Sequence, residues 1–235
     1  MMKHFRFSLA LAMLCAALST AMYASDNASL YLVQGIPGRD FTTTTDPAFP
    51  VDVLFNDYDC FLHGLAFGVV DGPLTFSPGT YDVKISVANT LAPCSNTPFI
   101  DSTIKLTSDV DVSAVIALSQ TGTPTILTFA NDFAAVPANM GRIIFAQAAD
   151  ASTVTVLLQN TATTKTFTYT VKPGAVLNAN VPAGNYTVQI NEGTTTLVPP
   201  TAVVLPSQAA TLLYAVGEAS NNSVTLFTRT VKDII

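Results

Sequence analysis

Ser77-Pro78-Gly79-Thr80-Tyr81-Asp82-Val83-Lys84-Ile85 is answered 105 positions later by Pro182-Ala183-Gly184-Asn185-Tyr186-Thr187-Val188-Gln189-Ile190. In the first copy Val83, Ile85 and Val87 alternate with Asp82, Lys84 and Ser86. In the second, Val188 and Ile190 alternate with Thr187, Gln189 and Asn191. A period of two is the pattern of a strand with one buried face. Gly79 and Gly184 suit a tight turn leading into that strand, with Pro78 and Pro182 restricting the chain just ahead. Tyr81 and Tyr186 then open the strand.

Three further blocks recur in the same order. Leu30-Tyr31-Leu32-Val33-Gln34 matches Ile143-Ile144-Phe145-Ala146-Gln147, and Val51-Asp52-Val53-Leu54-Phe55 matches Val154-Thr155-Val156-Leu157-Leu158. Ile126-Leu127-Thr128-Phe129 matches Val224-Thr225-Leu226-Phe227. Four ordered blocks define a duplicated unit. Val and Thr, β-branched and abundant here, favour strands. Strands are expected near 29–34, 51–56, 64–69, 73–77, 80–88, 101–107, 112–119 and 124–130. The second copy repeats them near 142–147, 153–158, 164–170, 175–180, 184–191, 201–206, 210–217 and 223–230. No segment of the mature chain holds a helical period for ten residues. The expected fold is all-β: two tandem immunoglobulin-like antiparallel β-sandwiches, repeat 1 over 25–133 and repeat 2 over 134–235, with Ala130 to Gly141 as linker. The Gly-x-Tyr step resembles the tyrosine corner of immunoglobulin-like sandwiches, in which a buried ring returns its hydroxyl to upstream main chain. The structural corner is thus assigned to Gly79, Tyr81, Gly184 and Tyr186.

The first 24 residues stand apart. Lys3, His4 and Arg6 precede the apolar run Phe7 to Leu18, and small residues follow (Ser19, Ala21, Ala24). That order is a secretory signal peptide, and the run is shorter than the ~20 residues of a spanning helix. Cleavage after Ala24, where polar residues begin, is favoured over cleavage after Ala21. Of 235 residues, 49% are hydrophobic and 11% charged, and 32 are threonine; soluble domains average roughly 25% charged. Lys3 and Arg6 leave with the leader, so 8 bases face all 16 acids, a net −8. Repeat 1 carries 12 acids and 3 bases, repeat 2 carries 4 acids and 5 bases. An acidic chain of this kind is not a nucleic-acid binder, and no later segment spans a membrane. The protein is expected in the periplasm or secreted.

Taken together, these blocks resemble the domain-of-unknown-function 4397 family, found as tandem copies in exported bacterial proteins. The likeness lies in Asp52-Val53-Leu54-Phe55-Asn56, in the Pro78-to-Val83 corner and in the apolar strand Val112 to Leu118. Family members often carry a His-Ala-Ser-Pro-like turn after the first strand. Here that place holds Gln34-Gly35-Ile36-Pro37, and in the second copy Gln147-Ala148-Ala149-Asp150. The resemblance implies a sandwich and export, and no activity.

Catalytic chemistry finds little footing. The mature chain has one histidine, His63, without a counterpart in repeat 2, and no Gly-x-Ser-x-Gly elbow. Asn56-Asp57-Tyr58-Asp59-Cys60 with His63 is the densest polar cluster. It lacks the third ligand, glycine and distal glutamate of an EF-hand, and zinc requires two more ligands than Cys60 and His63. A hairpin turn is the simpler reading. Asp109 and Asp111, about 7 Å apart if they share a strand face, read as a loop entering the next strand. No catalytic residue, metal ligand or cofactor site is assigned. Cys60 and Cys94 are the only mature cysteines, and export favours their oxidation. Free or intermolecular thiols are the alternative, since strands of alternating direction place the two at opposite ends unless repeat 1's extra residues fold back along the domain.

The expected function is therefore that of a non-enzymatic exported cell-envelope protein, a binding or structural module. Its envelope or extracellular partner is expected to contact repeat 1, which holds the acidic charge, the long loops 36–50 and 89–100 and both cysteines, while repeat 2 reads as a spacer. The alternative is a carbohydrate- or calcium-dependent ligand-binding sandwich using Asp57 and Asp59 or loop 36–50. An assembly subunit that donates a strand lacks a free alternating terminal segment.

Overall fold

The computed structural model describes residues 27–41 and 48–231. The leader over 1–24, the run Thr42 to Thr45, the rest of loop 36–50 over 46–47 and the tail 232–235 lie outside the described residues.

Repeat 1 folds as β1 (Ala28–Gln34), a short helix α1 (Gly38–Phe41), β2 (Val51–Phe55), β3 (Asp59–Leu65), β4 (Val70–Phe76), β5 (Gly79–Val87), β6 (Ile100–Leu106), β7 (Asp111–Leu118) and β8 (Pro124–Asn131). Repeat 2 repeats the eight strands as β9 (Met140–Gln147), β10 (Val154–Asn160), β11 (Thr166–Val171), β12 (Val176–Pro182), β13 (Gly184–Glu192), β14 (Thr195–Leu205), β15 (Ala210–Val216) and β16 (Thr225–Val231). Each repeat is a sandwich of two four-stranded sheets. The orders are β4-β1-β7-β8 with β3-β2-β5-β6, and β12-β9-β15-β16 with β11-β10-β13-β14. The duplication read from four short blocks therefore extends to every strand and every pairing. All neighbours are antiparallel except β1 with β7 and β9 with β15, which run parallel. This order, with the first strand central, differs from the seven-strand immunoglobulin arrangement; the likeness is that of a two-sheet sandwich with tyrosine corners.

Several strands begin elsewhere than periodicity suggests. β3 starts at Asp59, not near 64, because Asn56 and Asp57 take positive φ (50° and 63°) and close a tight hairpin from β2. The polar cluster is thus a turn followed directly by an edge strand carrying Cys60. β14 starts at Thr195, not near 201, because Gly193 (φ 57°) turns the chain straight out of β13.

Two cores fill the sandwiches. In repeat 1, Val83 and Ile85 of β5 meet Leu30 and Leu32 of β1, with Val53 and Ile116; in repeat 2, Tyr186, Val188 and Ile190 meet Ile143, Phe145 and Leu213. A third core lies between the repeats. Tyr31, Val33, Val115, Ala117 and Phe129 of one sandwich pack against Ile144, Ala146, Ala210, Leu212, Tyr214 and Val216 of the other. The central strands β1, β7, β9 and β15 are consequently buried on both faces. Their near-continuous apolar runs have this cause, as in sheets covered on two sides. Repeat 2 is not a spacer on a tether; it is half of a shared interior.

Candidate functional site

The junction of the repeats is where side chains from distant parts of the chain converge. At its centre Ser113 Oγ and Tyr214 Oη share a 2.7 Å hydrogen bond, and Asn131 Nδ2 donates to Ser113 Oγ at 2.9 Å. Burial pushes the Tyr214 hydroxyl above its ordinary pKa, so it stays protonated. Gly35 lets the sandwiches approach: a Cβ there would lie 2.8 Å from Ile116 O and 2.8 Å from Val216 Cγ1. On one flank Arg229 donates to Val70 O at 2.7 Å and to Gly72 O, with its guanidinium 5.8 Å over the Tyr31 ring. Phe67 meets Phe227 edge-on at 5.0 Å. Near the connection between repeats, Arg142 is 7% exposed, pairs with Asp132 at 2.8 Å and donates to Ala134 O at 2.8 Å. That connection is packed, with Val136 buried and Phe133 against Tyr31 at 5.8 Å.

One end of the junction opens into a cleft of about 730 Å³. The β7–β8 turn of repeat 1 (Gln120, Thr121, Gly122) forms one wall; Asp150, Ser152, Glu192 and Glu218 of repeat 2 form the other. Burial and the neighbouring Glu218 and Glu192 raise the Asp150 carboxyl above the usual carboxylate range. Glu192 is lowered instead, chiefly by hydrogen bonding from Ser152, whose N–H donates to Oε1 at 2.6 Å. Gln120 Nε2 donates to Ala151 O at 3.2 Å across the cleft wall. Beside it, α1 of repeat 1 is latched onto the β15–β16 loop: the solvent-inaccessible Asp40 carboxylate accepts from Ser223 Oγ and from Asn221 Nδ2 (3.3 Å), and Arg39 donates to Asn222 O at 3.2 Å.

The residues singled out by sequence fall in three other places. Cys60 and Cys94 form a disulfide with Cα atoms 5.8 Å apart. The loop after β5 does fold back over the sheet, and Asp52 holds it there. This carboxylate is 1% exposed; Oδ1 accepts from Gly64 N (2.9 Å), and Oδ2 accepts from Asn89 N and Cys94 N (both 2.9 Å). Gly64 (φ 70°) belongs to a bulge in β3, where Val51 faces Leu65 but Val53 faces Leu62. Sequence reasoning passed over Asp52 as an organiser. Its signal was an acid in a strand where the second copy has Thr155, beside a loop that only repeat 1 lengthens.

The corners are built as hydroxyl-to-carbonyl returns: Tyr81 Oη donates to Ser77 O and Tyr186 Oη to Pro182 O, each at 2.7 Å. Gly79 already lies in β5, and a Cβ there would sit 3.6 Å from the Tyr81 ring, an ordinary contact. A Cβ at Gly184 would lie 3.2 Å from Asn160 Nδ2. The first corner therefore rests on the tyrosine more than on the glycine.

The polar cluster does not converge on one point. Asp57 is paired with the Lys84 ammonium, whose other carboxylate neighbour, Asp101, is at 3.8 Å. The hydrogen bond to Asp57 holds Lys84 above its ordinary pKa. His63 is exposed on edge strand β3, and Asp109 sits in a turn at φ 56° while Asp111 heads β7, so those two acids share no strand face. No group of three or more His, Cys, Asp or Glu arranged for a metal ion occurs among the described residues.

Residues 41–157 match the profile of the family described as "Domain of unknown function (DUF4397)". The chain resembles DUF4397. The DUF4397 match opens at the end of α1, takes in β2 to β9 and closes inside β10, so it crosses the connection between the repeats. No curated protein matches the chain. Among solved structures, a leucine-rich repeat protein from Bacteroides thetaiotaomicron is similar at 13% identity over 82% of this chain and 26% of that one, with a TM-score of 0.26. The Bacillus anthracis TIE protein is similar at 12% identity over 81% of this chain and 33% of that one, with a TM-score of 0.27. A candidate cell adhesion protein from Bacteroides ovatus is similar at 12% identity over 90% and 99% of the two chains, with a TM-score of 0.29. The DUF4397-like chain thus spans about a quarter to a third of the length of the first two structures.

Proposed function

We propose that the protein is an exported, non-enzymatic component of the cell envelope or its surroundings, in which two β-sandwiches act as one rigid binding or structural module. The observation that carries this reading is the third core. Both sandwiches devote the outer faces of their central strands to each other, so the product of the duplication is one body and not a pair of independent catalytic or binding units. Loops on such a scaffold hold their geometry and are suited to recognition. The side chains best suited to chemistry are spent on architecture: Asp52 on three backbone donors, Asp40 on the inter-repeat latch, Cys60 and Cys94 on their bridge. The basic head and apolar run at the start of the chain support export.

The test is expression of the full chain in a bacterium, followed by fractionation and intact-mass measurement. The expected product is found outside the cytoplasm and begins at Ser25. Unprocessed chain retained in the cytoplasm refutes export. Calorimetry of the mature product is expected to show one transition, and two separated transitions refute the single rigid body.

A further inference from the structure

Among the described residues, four sheets of four strands have eight edges, and seven of them carry features that discourage pairing with a further strand. These are Gly64 in β3, Pro73 in β4, Lys105 in β6, Pro124 in β8, Pro182 in β12, Pro199 in β14 and Arg229 in β16. Only β11, Thr166-Phe167-Thr168-Tyr169-Thr170-Val171, has no charge, no Gly and no Pro, and it pairs with β10 in unbroken register. Its counterpart in repeat 1, β3, is bulged and tethered to the loop after β5 by the disulfide. The contrast between two copies of one element marks β11 as open.

The backbone of β11 is disposed to receive a strand. Asn160 N–H donates to Lys165 O, and with the register Phe167↔Leu158, Tyr169↔Val156 and Val171↔Val154 this makes the odd-numbered residues the hydrogen-bonded partners of β10. Thr166, Thr168 and Thr170 then direct their N–H and C=O groups away from the sheet, along an edge of roughly 20 Å. Their side chains are exposed, while Phe167 and Tyr169 are only half-buried at the open side of the sandwich. A strand added here covers both rings.

Charge selects the occupant. Lys165 and Lys172 bracket the edge, both exposed, and neither has an ion-pair partner among the described residues; Lys165 lies 4.9 Å over the Phe167 ring. Antiparallel pairing of β11 with a second copy of itself brings Lys165 of one strand and Lys172 of the other to the same end, on opposite faces, so like charges gather at both ends and disfavour that pair. We propose that β11 is a strand-addition site for an extended segment of another polypeptide, apolar and β-branched at alternate positions and acidic at both ends, bound antiparallel with its carboxylates on Lys165 and Lys172. The site lies away from the junction and on repeat 2, opposite to the expectation from loop length and charge.

The probe is the peptide Glu-Val-Thr-Val-Thr-Val-Thr-Glu, capped at both ends and titrated against the mature chain by calorimetry, with Lys-Val-Thr-Val-Thr-Val-Thr-Lys as control. The Glu-flanked peptide is expected to bind and the Lys-flanked peptide to bind about fivefold or more weakly. Thr168→Pro removes an outward N–H without touching the β10 ladder and is expected to weaken binding about tenfold or more. Because Thr168→Pro can perturb the strand, the pair Lys165→Glu with Lys172→Glu serves as a second arm and is expected to reverse the peptide preference. The proposal is overturned by failure of the Glu-flanked peptide to bind, or by equal affinity for both peptides. It is overturned too by binding that Thr168→Pro leaves intact, by a preference that survives the charge reversal, or by self-association of the chain that Thr168→Pro abolishes, which assigns the edge to a second copy.

Discussion

Replacing Gln147 with leucine is expected to stabilise the protein, and the same replacement at Gln34, its counterpart in repeat 1, to destabilise it. Both side chains are fully buried at the ends of equivalent strands. Gln34 is satisfied: Nε2 donates to Phe49 O at 2.9 Å and Oε1 accepts from Ile36 N at 3.0 Å. These bonds hold the first turn of the loop that follows β1. Leucine there takes a partner from a buried N–H and a buried C=O, at a cost of about 1–3 kcal/mol each, so about 2–6 kcal/mol in all. Gln147 Nε2 and Oε1 are both buried without a hydrogen-bond partner among the described residues. Leucine of similar volume removes that desolvation penalty, a gain of about 1–2 kcal/mol. Denaturant unfolding of each mature variant measures both, with the midpoint moving and the slope constant. In a chain of this length about 1 kcal/mol corresponds to roughly 2–4 °C in Tm. The opposite signs matter more than the sizes. A destabilised Gln147→Leu, or a neutral Gln34→Leu, refutes the reasoning that hydrogen-bond satisfaction distinguishes the two copies.

Leu212→Ala, at a fully buried position of the third core, is expected to cost about 2–5 kcal/mol and to lower one common unfolding transition; a loss confined to repeat 2, read by hydrogen exchange, contradicts the shared interior. Removing the bridge with Cys60→Ser and Cys94→Ser, which frees a connection of separation 34, is expected to lower stability by about 3–4 kcal/mol, measured by the same unfolding assay. Tyr186→Phe is expected to cost about 1–2 kcal/mol and Tyr81→Phe less, because the Tyr81 hydrogen bond is exposed and the Tyr186 one is partly buried; equal losses in the two refute the ranking. Asp150 has its folded pKa raised by burial, Glu218 and Glu192. The folded state then binds the proton more tightly than the unfolded one, and stability falls as pH rises from the unfolded to the folded pKa. Asp150→Asn is expected to raise Tm at pH 7 and to lose that advantage below about pH 4; a gain independent of pH refutes the electrostatic cause.

Much of the architecture was legible because it is local. Period-two alternation in Val83 and Ile85, and again in Val188 and Ile190, reports one buried face. The recurrence of four blocks disclosed the duplication, and the tyrosines two residues after Gly79 and Gly184 disclosed the corners. The start of β3 was misplaced because Asn56 and Asp57 lack the glycine that usually flags a two-residue hairpin turn, and take positive φ all the same. The organising part of Asp52 was hidden for another reason. A carboxylate in a strand reads as a solvent-facing residue until the loop that donates to it, 37 and 42 residues further on, is seen to fold over it.

By itself the chain determined its class, its strand count, its duplication and the acidic bias of repeat 1, all of which depend on composition and short-range pattern. Tertiary structure alone decided that the sandwiches share an interior, which wall forms the cleft and which edge remains open. Apolar runs in β1, β7, β9 and β15 state that two faces of each strand are buried, but not against what. The answer lies in contacts such as Ser113 with Tyr214, 101 residues apart, whose geometry no local periodicity encodes.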